Sequence, residues 1–105
     1  MKYYKLKKQS DFEKLFKNGK RAFSSSLTMI YRPSNKTTMG ISIGKRHGKS
    51  VKRNRIKRLI REAFRSEMAL LKKEYAIIFI PKVSEKYEFK VYKNHIRQMI
   101  EKDGL

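Results

Sequence analysis

Ten Lys or Arg side chains fall between Lys45 and Arg65, and the same stretch holds a single acid, Glu62. Guanidinium and ammonium groups this dense repel one another unless something negative lies between them. Arg predominates after Lys52, and a guanidinium binds phosphate oxygens bidentately, so the chemistry on offer is recognition of a sugar-phosphate backbone. Bond-making chemistry is harder to find. The two histidines, His47 and His95, sit in separate segments, and no pair of acids has the spacing of a metal site or a general acid/base couple. No hydroxyl has an evident base beside it. His47, between Arg46 and Gly48, reads as a backbone contact. No catalytic residue and no metal ligand is assigned.

The rest of the composition agrees. The 105 residues carry 28 Lys+Arg against 9 Asp+Glu, a net charge of +19. A field of that size points to a polyanionic partner: nucleic acid, an anionic membrane surface or an acidic protein. There is no Cys, which excludes disulfides and thiolate chemistry. The basic start lacks the apolar stretch of a signal peptide, and the longest apolar run, Tyr75–Ile80, is too short to span a bilayer. A soluble cytoplasmic protein is expected, one small domain over residues 1–105, with residues 1–9 a loosely ordered basic arm.

The elements that would position the cations can be placed by periodicity. Ser10 to Glu13 has the form of a capping box, and Phe12, Leu15 and Phe16 follow at helical spacing up to Asn18-Gly19. The spacing predicts a helix over Asp11–Asn18. A hairpin is expected next, with strands at Phe23–Arg32 and Thr38–Lys45 joined through a turn at 33–36. In its second strand Met39, Ile41 and Ile43 share one face and Gly40, Ser42 and Gly44 the other, which leaves room for something to approach the small-residue side. The basic stretch opens the longest helix, Val51–Lys72. A strand at 75–82, apolar on both faces, belongs in the sheet interior, and Phe89 to Ile100 marks a last helix. The fold class is α+β: a small α/β sandwich, order α-β-β-α-β-α, with a mixed sheet and one β-α-β crossover.

On the basic helix Ile56, Leu59, Ile60, Ala63 and Phe64 form an apolar stripe. Asn54, Arg58, Arg61 and Arg65 lie opposite, with Arg55 and Lys57 on the flanks. Ser50 is the expected N-cap, surrounded by Lys49, Lys52 and Arg53. A helix N-terminus already carries about half a positive charge, so cations there are unfavourable until an anion arrives, and then they complete a phosphate cradle. An interfacial membrane helix would need its apolar stripe free for lipid, whereas this one is required for the core. Phe12, Phe16 and Tyr31 suggest a second surface flanking the small-residue face, where unpaired bases could stack; spacing alone equally allows them to be core.

The stretch "SVKRNRIKRLIREAF" resembles the Arg-Asn-Arg helix of the protein component of bacterial ribonuclease P, residue by residue from Val51 to Arg61. Similarity extends through "DFEKLFKNG", "LTMIYRPS", "GISIGKRHGKS", "YAIIFIPK" and the final helix. Ser50 stands where that family usually has Ala and Gly44 where it has Ser, and the family often carries a longer basic C-terminal tail.

The resemblance implies an auxiliary, RNA-binding subunit of a ribonucleoprotein endoribonuclease. Its catalytic RNA hydrolyses a phosphodiester of precursor tRNA, releasing the 5′ leader and leaving a 5′-phosphate. Magnesium is expected in that holoenzyme, held mainly by RNA, with no cofactor on the protein alone. Partners would be the catalytic RNA, one protein per RNA, and precursor tRNA with its leader; no membrane is implied. Lys45, Arg46, Lys49, Lys52, Arg53, Asn54, Arg55, Lys57, Arg58, Arg61 and Arg65 would contact the catalytic RNA. Phe12, Phe16 and Tyr31 would line the leader cleft, broadening substrate range. The family's β-α-β crossover is of the uncommon left-handed kind. On residues alone a ribosomal-RNA-binding protein remains a rival, as do a DNA-reading helix and a protein-only nuclease. The near-continuous cation row argues against the second, and the want of an acid cluster against the third.

Overall fold

The strand with two apolar faces organises everything else. In a computed structural model describing residues 2–105, Tyr75–Pro81 (β5) is the middle of a five-stranded sheet and takes a partner on each side. One is Leu27–Pro33 (β3), antiparallel, and the other is Thr38–Ile41 (β4), parallel. The expected hairpin is therefore corrected: β3 and β4 are consecutive along the chain but lie on opposite sides of β5. Burying Ile77 and Phe79 on one face and Ile78 on the other requires neighbours on both edges, and that demand outweighs the local turn. The connecting loop adapts by reaching across to residue 74. Ser34 N–H donates to the Glu74 carbonyl at 3.0 Å, and the Thr37 hydroxyl donates to the Glu74 carboxylate.

The strand expected from Phe23 to Arg32 is two strands. Lys20–Phe23 (β2) pairs antiparallel with β3, and the turn between them is made by Ser24, whose Oγ accepts from Leu27 N–H at 3.1 Å and donates to Leu27 O at 2.8 Å. Within the basic arm, residues 4–6 are docked rather than loose. Tyr4–Lys5 (β1) runs parallel to β4, with Tyr4 N–H bonded to Thr37 O and Leu6 N–H to Met39 O. The finished order is β1-β4-β5-β3-β2.

Three helices cover the sheet: Gln9–Asn18 (α1), Ser50–Glu67 (α2) and Phe89–Lys102 (α3). Neither expected cap forms. α1 starts one residue upstream of the capping box, with Lys8 at the N-cap, and α2 starts on Ser50 itself with Lys49 at the N-cap; neither has a side-chain cap bond. α2 also stops earlier than expected, and a single 3-10 turn, Met68–Leu70, finishes it. The crossover from β4 through α2 to β5 joins two parallel neighbours, as a β-α-β unit requires.

Side-chain alternation divides the core in two. Leu27, Met29, Met39, Ile77 and Phe79 face α2 and α3, where Ile56, Ile60, Phe64, Tyr92 and Ile96 close a large dry core. Ile30 and Ile78 face α1, where only Leu6 and Leu15 complete a much smaller one. Tyr3 meets Phe64 edge-on at 5.3 Å while Leu6 joins the other core, so the short β1 segment is fastened to both layers.

Candidate nucleic-acid interface

Burial of Ile56, Ile60, Ala63 and Phe64 fixes the roll of α2, and the cations follow from it. Lys52, Asn54, Arg55, Arg58 and Arg65 are exposed; Arg53, Lys57 and Arg61 are half-buried. Arg58 Nε lies 3.3 Å from Glu62 Oε1, an exposed pair of little energetic weight. The other ion pair among the described residues, Arg97 Nε to Glu67 Oε1 at 2.6 Å, serves the α2–α3 packing. The remaining cations between Lys45 and Arg65 are left without acidic partners among those residues. The stretch leading into α2 is anchored by His47, whose ring is buried and whose Nε2 donates to Pro81 O at 3.0 Å. That bond holds Lys45 and Arg46, in a 3-10 turn, beside the α2 N-terminus. Gly48, at φ +107°, makes the bend that an L side chain would strain. No acid stands in the first turn of α2, so its free N–H groups and Lys49, Lys52 and Arg53 present one continuous positive end.

The row does not all point one way. Lys52 and Arg55 border the loop before α3, where the Lys52 ammonium sits 5.5 Å over the Tyr87 ring. Lys57 and Arg61 lean to the opposite flank and, with Lys5 of β1, border a cavity of about 370 Å³ at the sheet edge. Phe12 and Gly40 border the same cavity, so the cation row meets the α1 side of the sheet there.

The α1 side carries a furrow. Pairing places Phe23, Thr28 and Ile80 in one row across β2, β3 and β5, and Ser42 N–H bonds to Phe79 O at the end of β4. Thr28, Ser42 and Ile80 stay half-exposed because α1 covers only the next row, Ile30, Ile78 and Gly40. Phe12 and Phe16, one helical turn apart, stand along that open strip. A Cβ on Gly40 would come 2.6 Å from Phe12 Cζ, so the missing side chain is what lets the ring lie on the sheet. Phe16 is 37% and Phe23 67% exposed, and Arg21 donates to Phe16 O at 3.3 Å. Bulky Met39 and Ile41 do face the other core, as the alternation in β4 predicts.

Tyr31 is not part of the furrow, which corrects the expectation. It shares the parity of Leu27 and Met29, is 7% exposed in the large core, and stacks edge-on with Tyr75 at 5.9 Å. Its hydroxyl donates to Asp103 Oδ2 at 2.6 Å, and burial followed by that carboxylate pushes the phenol up to about 12. The neighbour one position earlier, Ile30, is the residue that faces α1. Phe23 is a furrow residue that periodicity alone does not reveal. The Ser24–Ser26 run that ends β2 is the available signal, since it puts Phe23 across from Thr28.

Among the described residues no group of three His, Asp or Glu side chains could hold a metal ion, and no helix is long and apolar enough to cross a membrane.

Comparison with known proteins gives one answer at every level. The family model described as Ribonuclease P matches residues 1–103. The ribonuclease P protein component of Clostridium kluyveri is 39% identical, covering 100% of this chain and 98% of that protein. Its counterpart in Clostridioides difficile is 40% identical over 95% and 91%. Among solved structures, the RNase P protein from Thermotoga maritima superposes with a TM-score of 0.82 at 25% identity, covering 93% of this chain and 96% of that one. The Staphylococcus aureus RNase P protein does so with 0.82 at 25% identity, over 97% and 96%.

Proposed function

The chain belongs to the ribonuclease P protein family, and from that premise we propose that it is the RNA-binding subunit of a ribonucleoprotein whose RNA removes the 5′ leader of precursor tRNA. The observation that carries this reading is the meeting of two unlike surfaces at one sheet edge: a cation row on α2 in which Arg58 alone has an acidic partner among the described residues, and an open aromatic furrow along α1. The row is suited to structured RNA, because its guanidinium groups grip phosphates without reading bases. Lys45, Arg46, Lys49, Lys52, Arg53, Asn54, Arg55, Arg58 and Arg65 take the catalytic RNA, one protein to each RNA. The furrow is suited to an unpaired strand. Phe12, Phe16 and Phe23 offer rings for bases, and Thr28 and Ser42 offer hydroxyls for the backbone. Lys57 and Arg61, at the junction, hold phosphates where the two RNAs meet.

This chain supplies position and charge. In this reading the acid, the base and the magnesium at the scissile phosphate come from the RNA. By gripping the leader, the protein separates precursor from mature tRNA, a distinction the product no longer offers after cleavage.

The test compares affinity of the assembled particle, with magnesium, for tRNA with and without a leader. Phe16→Ala should reduce the preference for precursor by about 1–3 kcal/mol, the usual worth of one stacked base, while binding of the catalytic RNA stays unchanged. An undiminished preference would remove the furrow from the leader's path.

A further inference from the structure

Helix α1 has two long sides on the sheet, and only one of them faces the furrow. Asp11 and Lys14 look the other way, over a second depression of about 670 Å³ between α1 and the loop that follows β3. Its floor is Leu15 and Ala76. Its walls bring three cations from three separate segments: Lys14 of α1, Arg32 at the end of β3, and Lys36 of the loop, whose ammonium lies 4.5 Å over the Tyr4 ring. Asp11 is the single acid lining it, and among the described residues none of the four is in an ion pair. Thr38 also lines the groove, and its Oγ1 is buried without a hydrogen-bond partner. A buried hydroxyl of that kind is ordinarily satisfied.

We propose that this groove binds the upstream part of the leader, the same unpaired strand after it has left the furrow; the proposal rests on the furrow reading above. Charge complementarity selects a polyanion. The apolar floor of Leu15 and Ala76 suits a base. Continuity selects the leader over any other RNA. Leu6 lines both this groove and the edge cavity, and the edge cavity shares Phe12 and Gly40 with the furrow side of α1. Leu6 is itself buried, so a strand leaving the furrow at Phe12 reaches the groove by crossing the exposed, cationic Lys7 and Lys8 that join β1 to α1.

The experiment uses the assembled particle and two precursor tRNAs, one with a leader just long enough to fill the furrow and one long enough to pass round α1. The triple variant Lys14→Ala, Arg32→Ala, Lys36→Ala removes exposed side chains and should melt like the parent. It should bind the long-leader substrate about tenfold more weakly and the short-leader substrate as before. The salt dependence for the long leader should flatten by roughly 0.7 in log-log slope for each phosphate that the variant no longer neutralises. Equal weakening for both substrates, or for neither, overturns the groove. Failure of the furrow itself would appear separately, as an unchanged short-leader preference in Phe16→Ala. In the isolated chain, amide resonances of Ser34, Thr38 and Ala76 should shift with oligouridylate in the parent and not in the triple variant. Shifts with oligoglutamate alone would assign the groove to an acidic peptide and overturn the proposal.

Discussion

The two faces of β5 are built from the same kind of residue and end differently. Ile77 and Phe79 point into a core roofed by two helices, where Phe64 and Tyr92 are themselves buried. Ile78 and Ile80 point toward one ten-residue helix, which seals Ile78 and leaves Ile80 half-open. Stability is concentrated on the first face, and the second is free to hold a ligand. One strand can serve both ends because alternation lets each face be specified separately. The cation row belongs to the first face mechanically, since its apolar stripe anchors α2, yet the cations themselves stand on the outer side of that helix.

The contrast breaks hardest at Phe64. Phe64→Ala should cost about 3–5 kcal/mol in urea unfolding, through a cavity in a core with no slack, whereas Phe16→Ala on the open face should leave the unfolding midpoint nearly unmoved. Similar destabilisation by the two would mean that both faces are structural. Next in size is Arg58→Ala. A hydrogen bond to a charged group contributes about 1.5–3 kcal/mol, so affinity for the catalytic RNA, followed by filter binding, should drop roughly tenfold or more. Thermal stability should stay put, because the exposed Arg58–Glu62 pair contributes only about 0.3–0.5 kcal/mol.

The smallest effect concerns Tyr31. Tyr31→Phe should lower stability at neutral pH by about 1 kcal/mol, from one hydrogen bond, and should leave precursor preference intact. The pH dependence gives a sharper signature. The phenol titrates near 12 in the folded chain and near ~10 when unfolded. Its contribution is complete below the unfolded value and is lost as pH rises between the two. Tyr31→Phe should therefore show a shallower decline in that window, judged as the difference from the parent. A loss of leader discrimination in Tyr31→Phe would return this residue to the cleft.

Helices and the middle strand were legible because their signals are local: Phe12, Leu15 and Phe16 at one spacing, Ile56, Ile60 and Phe64 at another, and an unbroken apolar run at 75–80. Pairing was not legible, because hydrogen bonds between strands join residues such as Thr38 and Ala76 that periodicity never compares. The missing caps have a simple physical cause. Lys8 and Lys49 already end the helices in extended geometry, and the neighbouring serines fall inside the first turn. For the site, the cation row was legible as a row, but its division between Tyr87 on one flank and Lys5 on the other depends on tertiary packing. A single strand drawn through Ser24–Ser26 puts Phe23 on the face of Leu27 and Met29, whereas the turn there leaves it across from Thr28 in the furrow; Tyr31 does share the Leu27 and Met29 face and stands in the core, not in the cleft expected of it.

The strand order also sets a timetable. A chain emerging from the ribosome presents β1, β2, β3 and β4 before β5, yet two of these elements, β4 and β1, cannot find their places in the sheet until β5 is made. The turn at 24–26 can close early, since β2 and β3 are adjacent in both sequence and space. β4 must wait for residues 75–81, and β1, the first segment made, must wait for β4. Until then a strongly cationic chain lacks its finished sheet, and non-local pairings of this kind are slow to form. The strand that comes earliest along the chain, β1, is therefore among the last to be tied down.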